Sequence, residues 1–158
     1  MLRACVLLLG LLMAQLVSAA EASTAPTILT ITGQVKSTET FSLTELDKLP
    51  QKKMTVQIPW YPEPQTFEGP LLRDVLKLAG AKGKLMKLQA LNDYVIEVPM
   101  GDAEKYDVII ASRLNGKTMS VREKGPLFVM YPFDRHEELR KTDYFRRCAW
   151  QLKQITLE

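Results

Sequence analysis

Phe67-Glu68-Gly69-Pro70-Leu71-Leu72-Arg73-Asp74-Val75-Leu76 is the stretch on which the fold turns. Gly69 and Pro70 open a helix. Proline is tolerated at the first helical position because its missing N–H would have no intrahelical partner there. Leu71, Leu72, Val75, Leu76 and Ala79 follow at helical spacing and form one apolar stripe, while Arg73, Asp74 and Lys77 face outward. Gly80 ends the helix. Its apolar stripe must be buried against something, and the flanking segments supply strands.

Before this helix, residues 27–35 alternate β-branched and polar side chains and predict a strand. Ser42 with Glu45 three residues later is a capping box, so a short helix ends before Pro50. Residues 53–58 alternate again. After the helix, residues 85–91 and 94–98 read as two strands joined by an Asn92-Asp93 turn. Residues 100–106 form a short helical connection. Residues 108–114 make one strong strand, closed by Asn115-Gly116, with residues 118–121 as its hairpin partner. Residues 127–131 and 150–157 are further strands, the last with imperfect alternation. Residues 134–142 are polar and fit a surface helix or loop. Strands dominate without a regular strand–helix alternation, so the fold class is α+β.

The N-terminus has the form of an export leader. Arg3 precedes an apolar run over residues 5–17, and Ser18-Ala19-Ala20 suits cleavage after Ala19 or Ala20. The run is shorter than the roughly 20 apolar residues a bilayer span needs. The expected organisation is a signal peptide over 1–20, a flexible lead-in over 21–26 and one domain over 27–158. The expected location is the periplasm, with no membrane span after processing. The net charge of +3 comes from basic residues interleaved with acidic ones, which argues against a nucleic-acid stripe.

No cysteine lies between Ala22 and Arg147. Cleavage leaves only Cys148, so no internal disulfide forms. Cys148 reads as a buried small apolar residue, or as a reactive thiol whose pKa Arg146 and Arg147 would lower if it were exposed. The lone histidine, His136, sits in a charged segment and reads as solvated; one imidazole cannot build a histidine metal site. Asn92, Asp93 and Tyr94 form a turn or a polar corner at a pocket mouth. Arg113 lies near the Asn115-Gly116 turn, where its fork matches an oxyanion. Trp60, Tyr61 and Trp150 are candidates for an aromatic wall.

The order of these pieces resembles the molybdopterin-binding domain of the sulfite-oxidase family. The pieces are the stretch from Phe67 to Leu76, then Ala90-Leu91-Asn92-Asp93-Tyr94, then Ile109-Ile110-Ala111 with Leu114-Asn115-Gly116-Lys117-Thr118-Met119. Gly125-Pro126-Leu127 and Trp150-Gln151-Leu152-Lys153-Gln154-Ile155 complete it. The resemblance implies a mixed, mostly-β fold and a molybdenum cofactor held by a cysteine thiolate before Phe67. This chain offers Gln57, Ile58, Pro59 and Trp60 there, none of them a soft anionic ligand. Where family enzymes commonly place an arginine and a lysine, it has Phe128 and Trp150.

The expectation is therefore an exported binding, sensory or accessory protein on a degenerate oxidoreductase fold, without a cofactor and more a binder than an enzyme. The alternatives are a periplasmic molybdenum-cofactor oxidoreductase and a structural subunit of an exported redox complex. Cys148 supports the enzyme only if the fold carries it into the cleft, and its place before the last strand argues against that. The candidate ligand pocket gathers Trp60, Asn92, Asp93, Tyr94 and Arg113, with Arg113 as the anion contact. Its expected partner is a small anionic ligand, or an exported or membrane-bound signalling or redox protein.

Overall fold

The computed structural model describes residues 25–158. The expected leader over 1–20 and most of the lead-in lie outside the described residues. Among the described residues, strand β1 (Thr27–Gly33), strand β2 (Glu39–Ser42) and helix α1 (Leu43–Asp47) come first. The capping box at α1 forms as read. Glu45 N–H donates to Ser42 Oγ at 3.3 Å, and Ser42 N–H donates to Glu45 Oε2 at 2.7 Å. Strand β3 (Gln51–Val56) and strand β4 (Gln65–Pro70) follow as an antiparallel pair.

Helix α2 (Leu72–Leu78) buries Leu72, Val75, Leu76 and the adjoining Ala79, the stripe expected from the sequence. Its start is two residues later than read. Pro70 closes β4 opposite Gln51, and Leu71 is the extended residue before the helix. The lost N–H of Pro70 thus falls at a strand end, another position that tolerates it.

Strands β5 (Leu85–Ala90) and β6 (Val95–Pro99) form the expected hairpin, and helix α3 (Met100–Lys105) follows. The strand expected over 108–114 is two strands in two sheets. Strand β7 (Ile109–Ala111) pairs with strand β10 (Phe128–Met130). Strand β8 (Arg113–Leu114) pairs with β4 and with strand β9 (Lys117–Thr118). Between them Ser112 is buried and donates its N–H to Glu68 O at 2.9 Å. That bond carries the chain from one sheet to the next without leaving a buried donor unpaired.

Helix α4 (Thr142–Arg147) leads into the last strand, β11 (Leu152–Leu157). β11 lies at the centre of the largest sheet, ordered β2-β1-β11-β5-β6, parallel to β1 and antiparallel to β5. A register shift between Leu152 and Gln154 explains its imperfect alternation. Leu152 and Ile155 both face the core, three residues apart, because a bulge takes up the odd residue. The other sheet, β3-β4-β8-β9, and the β7–β10 pair pack with it around one core that runs from Leu29 to Leu157.

Gly69 fixes how closely β4 approaches β7. A Cβ placed on it would lie 2.0 Å from Ile110 O, a backbone atom that cannot swing aside. Gly69→Ala should therefore lower stability by about 1–3 kcal/mol, the usual cost of overpacking. Gly101→Ala, where a Cβ meets nothing within 4 Å, should change it by less than about 1 kcal/mol. Thermal melts of the two variants against the parent check this pair, and equal melting temperatures for both would contradict it.

Candidate functional site

A cavity of about 540 Å³ opens beside the end of the largest sheet. Three segments build it. Pro59 and Trp60 come from the β3–β4 connection, Ala90, Asn92 and Tyr94 from the β5–β6 turn, and the third wall is α4 with Cys148, Ala149 and Trp150. The floor is apolar and buried at Ala90, Cys148 and Ala149, while Asn92, Tyr94, Arg146 and Trp150 are exposed at the rim.

Trp60 organises the aromatic wall. Its ring stands edge-on to Trp150 at 5.4 Å between centroids, and to Phe145 at 6.2 Å. It also meets Phe128 at 5.8 Å, and Phe128 meets Trp150 at 6.2 Å. The near-perpendicular pairs set the positive edge of one ring against the negative face of another. A β-bridge between Phe128 and Trp150 holds two of these residues in register. Lys124 Nζ sits 5.7 Å from the Trp150 ring and 5.3 Å from the Tyr61 ring, within cation–π range.

The third wall is anchored from behind. Asp102 on α3 is only 7% exposed. It accepts from Tyr131 Oη at 2.7 Å and from Arg147 Nη1 at 2.7 Å. Burial, and then the Asp102 bond, push the Tyr131 hydroxyl pKa far up, so it stays a donor. Neighbouring residues on a helix point about 100° apart. While Arg147 turns inward to Asp102, Arg146 lines the cavity.

The structure brings Trp60, Asn92 and Tyr94 to this cavity and leaves Asp93 and Arg113 out of it. Asp93 sits at a positive φ of 65° and turns toward the sheet, accepting from Lys153 Nζ at 2.6 Å and Gln89 Nε2 at 3.0 Å. The Lys153 bond holds its carboxyl below the usual aspartate range. Asn92 also shapes the turn, its Oδ1 accepting from Tyr94 N–H at 3.1 Å. Arg113 is corrected more sharply: it does not line the cavity with the others. It forms a bidentate pair with Asp47, Nη1 to Oδ1 at 2.6 Å and Nη2 to Oδ2 at 2.7 Å. Its fork is filled by a carboxylate of the same chain.

Sequence reasoning missed Arg146, the cation that lines the cavity, and Phe145. Arg146-Arg147 stood out in the sequence only as neighbours of Cys148. Cys148 itself lies among the cavity residues, against the expectation that its position would exclude it. Cys148 is 3% exposed, and its thiol donates to Tyr144 O at 3.5 Å. His136 is half-buried, edge-on to Tyr106 at 5.1 Å, with Nδ1 3.2 Å from Glu138.

The profile of the oxidoreductase molybdopterin binding domain matches residues 18–133. The chain belongs to that family. Among solved structures, the sulfane dehydrogenase SoxCD from Paracoccus pantotrophus is similar, with a TM-score of 0.63 at 19% identity. The match covers 81% of this chain and 37% of that one, so the chain spans well under half the length of that neighbour. At this identity the likeness concerns the fold. No curated protein sequence matches the chain.

The family implies a molybdenum cofactor, and the donors at the cavity do not fit a thiolate-held metal. Burial pushes the Cys148 thiol pKa far up, so the sulfur is protonated at neutral pH. No group of three His, Cys, Asp or Glu side chains suited to a metal exists among the described residues. Trp60 in the β3–β4 connection, Phe128 and Trp150 present rings to one another where the family resemblance implies a thiolate and two cations.

The Arg113–Asp47 pair has its own signature in pH. The Arg113 bond holds the Asp47 carboxyl below its ordinary range. The stability it contributes is fully present above the unfolded value of about 3.9 and is lost as pH falls toward the lower folded value. Asp47→Asn should cost about 1–2 kcal/mol at pH 7. The gap to the parent should narrow below pH 4 in denaturant titrations. A gap that is constant with pH would contradict the pair's contribution.

Proposed function

We propose that this domain is a small-molecule binding module that uses the aromatic cavity in place of a catalytic metal centre. The observation that carries this reading is the convergence of Trp60, Phe128 and Trp150 into one cluster beside the cavity. A cavity of this size, largely apolar with a few polar groups at the rim, has the character of a ligand site. Both tryptophans of the chain stand at it, so tryptophan emission reports on the cavity alone.

The neutral fluorescent amine N-phenyl-1-naphthylamine should bind saturably at one equivalent and quench that emission. Phe145→Ala should weaken it by about 1–2 kcal/mol through lost apolar contact. Non-saturable binding, or full affinity in the variant, would remove the cavity as a ligand site.

A molybdenum oxidoreductase is the second reading, favoured by the presence of Cys148 among the cavity residues. Elemental analysis of protein purified from its native host separates the two. The binding reading expects far less than one molybdenum per chain, and a stoichiometric content would overturn it.

We place the protein outside the cytoplasm, on the strength of the apolar run over residues 5–17 and the small residues that follow. No described helix is long and apolar enough to cross a membrane. N-terminal sequencing of the processed form should begin near Ala20 or Glu21. Recovery of the intact chain from cytosol would contradict the placement.

A further inference from the structure

We propose that the cavity selects a planar apolar ring bearing a carboxylate or sulfonate, and that Arg146 is the residue that reads the charge. This rests on the binding reading above and names the ligand class for the same site.

The charges around the cavity carry the argument. Arg146 is the only charged residue in its lining, and no carboxylate lines it. Arg146 makes no ion pair among the described residues, although Asp143 lies three positions earlier on α4. Its neighbour Arg147 is neutralised by Asp102 at 2.7 Å. Asp93, the acidic residue of the β5–β6 turn, is neutralised by Lys153 at 2.6 Å. Lys124 stands beside the same tryptophan, 5.7 Å from its ring. The cavity lining therefore holds one positive charge with no carboxylate partner, next to an apolar wall.

The wall sets the other half of the specificity. Trp60, Tyr94, Phe145 and Trp150 offer ring surface, and the floor of Ala90 and Ala149 is smooth and uncharged. Aromatic rings also suit a quaternary ammonium ligand. Here the guanidinium of Arg146 would repel such a cation, and Lys124 already holds the cation–π positions of Tyr61 and Trp150. An inorganic oxyanion would satisfy Arg146 and leave the aromatic wall without a partner. A ring that carries its anionic group at one edge satisfies both. Its ring lies on the tryptophan wall and its acid group reaches the rim, where a planar fork accepts two oxygens in parallel.

The test uses two dyes that differ by one group. 1-Anilinonaphthalene-8-sulfonate is N-phenyl-1-naphthylamine with an added sulfonate. On the full chain, both are titrated by tryptophan quenching and competed against each other. The sulfonate should bind about tenfold more tightly than the neutral amine at low salt, displace it at one equivalent, and lose that advantage as sodium chloride is raised. Arg146→Gln should bring the two dyes to similar affinity, with the loss falling on the sulfonate far more than on the neutral amine, and should leave the melting temperature unchanged, since the side chain is exposed. Arg146→Lys should restore part of the preference.

Equal affinities in the parent would overturn the assignment while leaving the binding reading standing. So would a preference that survives Arg146→Gln. Saturable binding of neither dye would overturn the binding reading and this inference together.

Discussion

Asp102 is the one charged side chain withdrawn from solvent among the described residues, and the cavity depends on what it holds. It ties α3 to the end of β10 through Tyr131 and to α4 through Arg147. A buried carboxylate of this kind is tolerated because both partners are supplied at 2.7 Å. Both bonds fall on Oδ2, and removing Arg147 would leave the carboxylate without its countercharge, which costs on the order of 3–5 kcal/mol for a buried pair. α4 is only six residues long and has no buried side chain of its own. Arg147 locked to Asp102, together with Phe145 stacked on Phe133 at 4.6 Å, defines where Phe145, Arg146 and Cys148 stand.

The opposite wall is set by shape instead of charge. Trp60, Phe128 and Trp150 come from three separate segments and meet as rings. The family resemblance implies anion- and metal-holding groups in these segments, and this chain carries rings there. The exchange changes the electrostatics of the whole pocket. A thiolate and two cations would suit a charged cofactor, whereas Trp60 and Trp150, backed by the buried Phe128, line the cavity with ring surface beside one guanidinium. Cys148 sits close enough to line this space, yet burial keeps it a thiol. In the binding reading, the family fold keeps its concave site without a thiolate donor. Fold and function separate at this point.

Much of the fold was legible because its signals are local. The stripe of Leu72, Val75, Leu76 and Ala79, the Ser42–Glu45 box and the Asn92-Asp93 turn each depend on neighbours within a few residues. The failures are where distant contacts decide. β4 shows no apolar alternation, because both its neighbours are strands and Gly69 is there for Ile110. The segment 108–114 looks continuous, but Ser112 hands it from one sheet to another. α4 carries no apolar periodicity, since it is held by one ion pair and its aromatic residues. Arg113 looks like a free anion contact in the sequence because its partner Asp47 lies 66 residues away. Arg146 was overlooked as a contact because two adjacent arginines look alike until a helix turns them apart.

A crystal structure of the protein purified from its native host, with anomalous data collected at the molybdenum edge, tests the central claim most directly. The account predicts no anomalous peak at the cavity, with density for an organic ring against Trp150 and an acidic group facing Arg146. A molybdenum peak within bonding distance of Cys148 Sγ would contradict it.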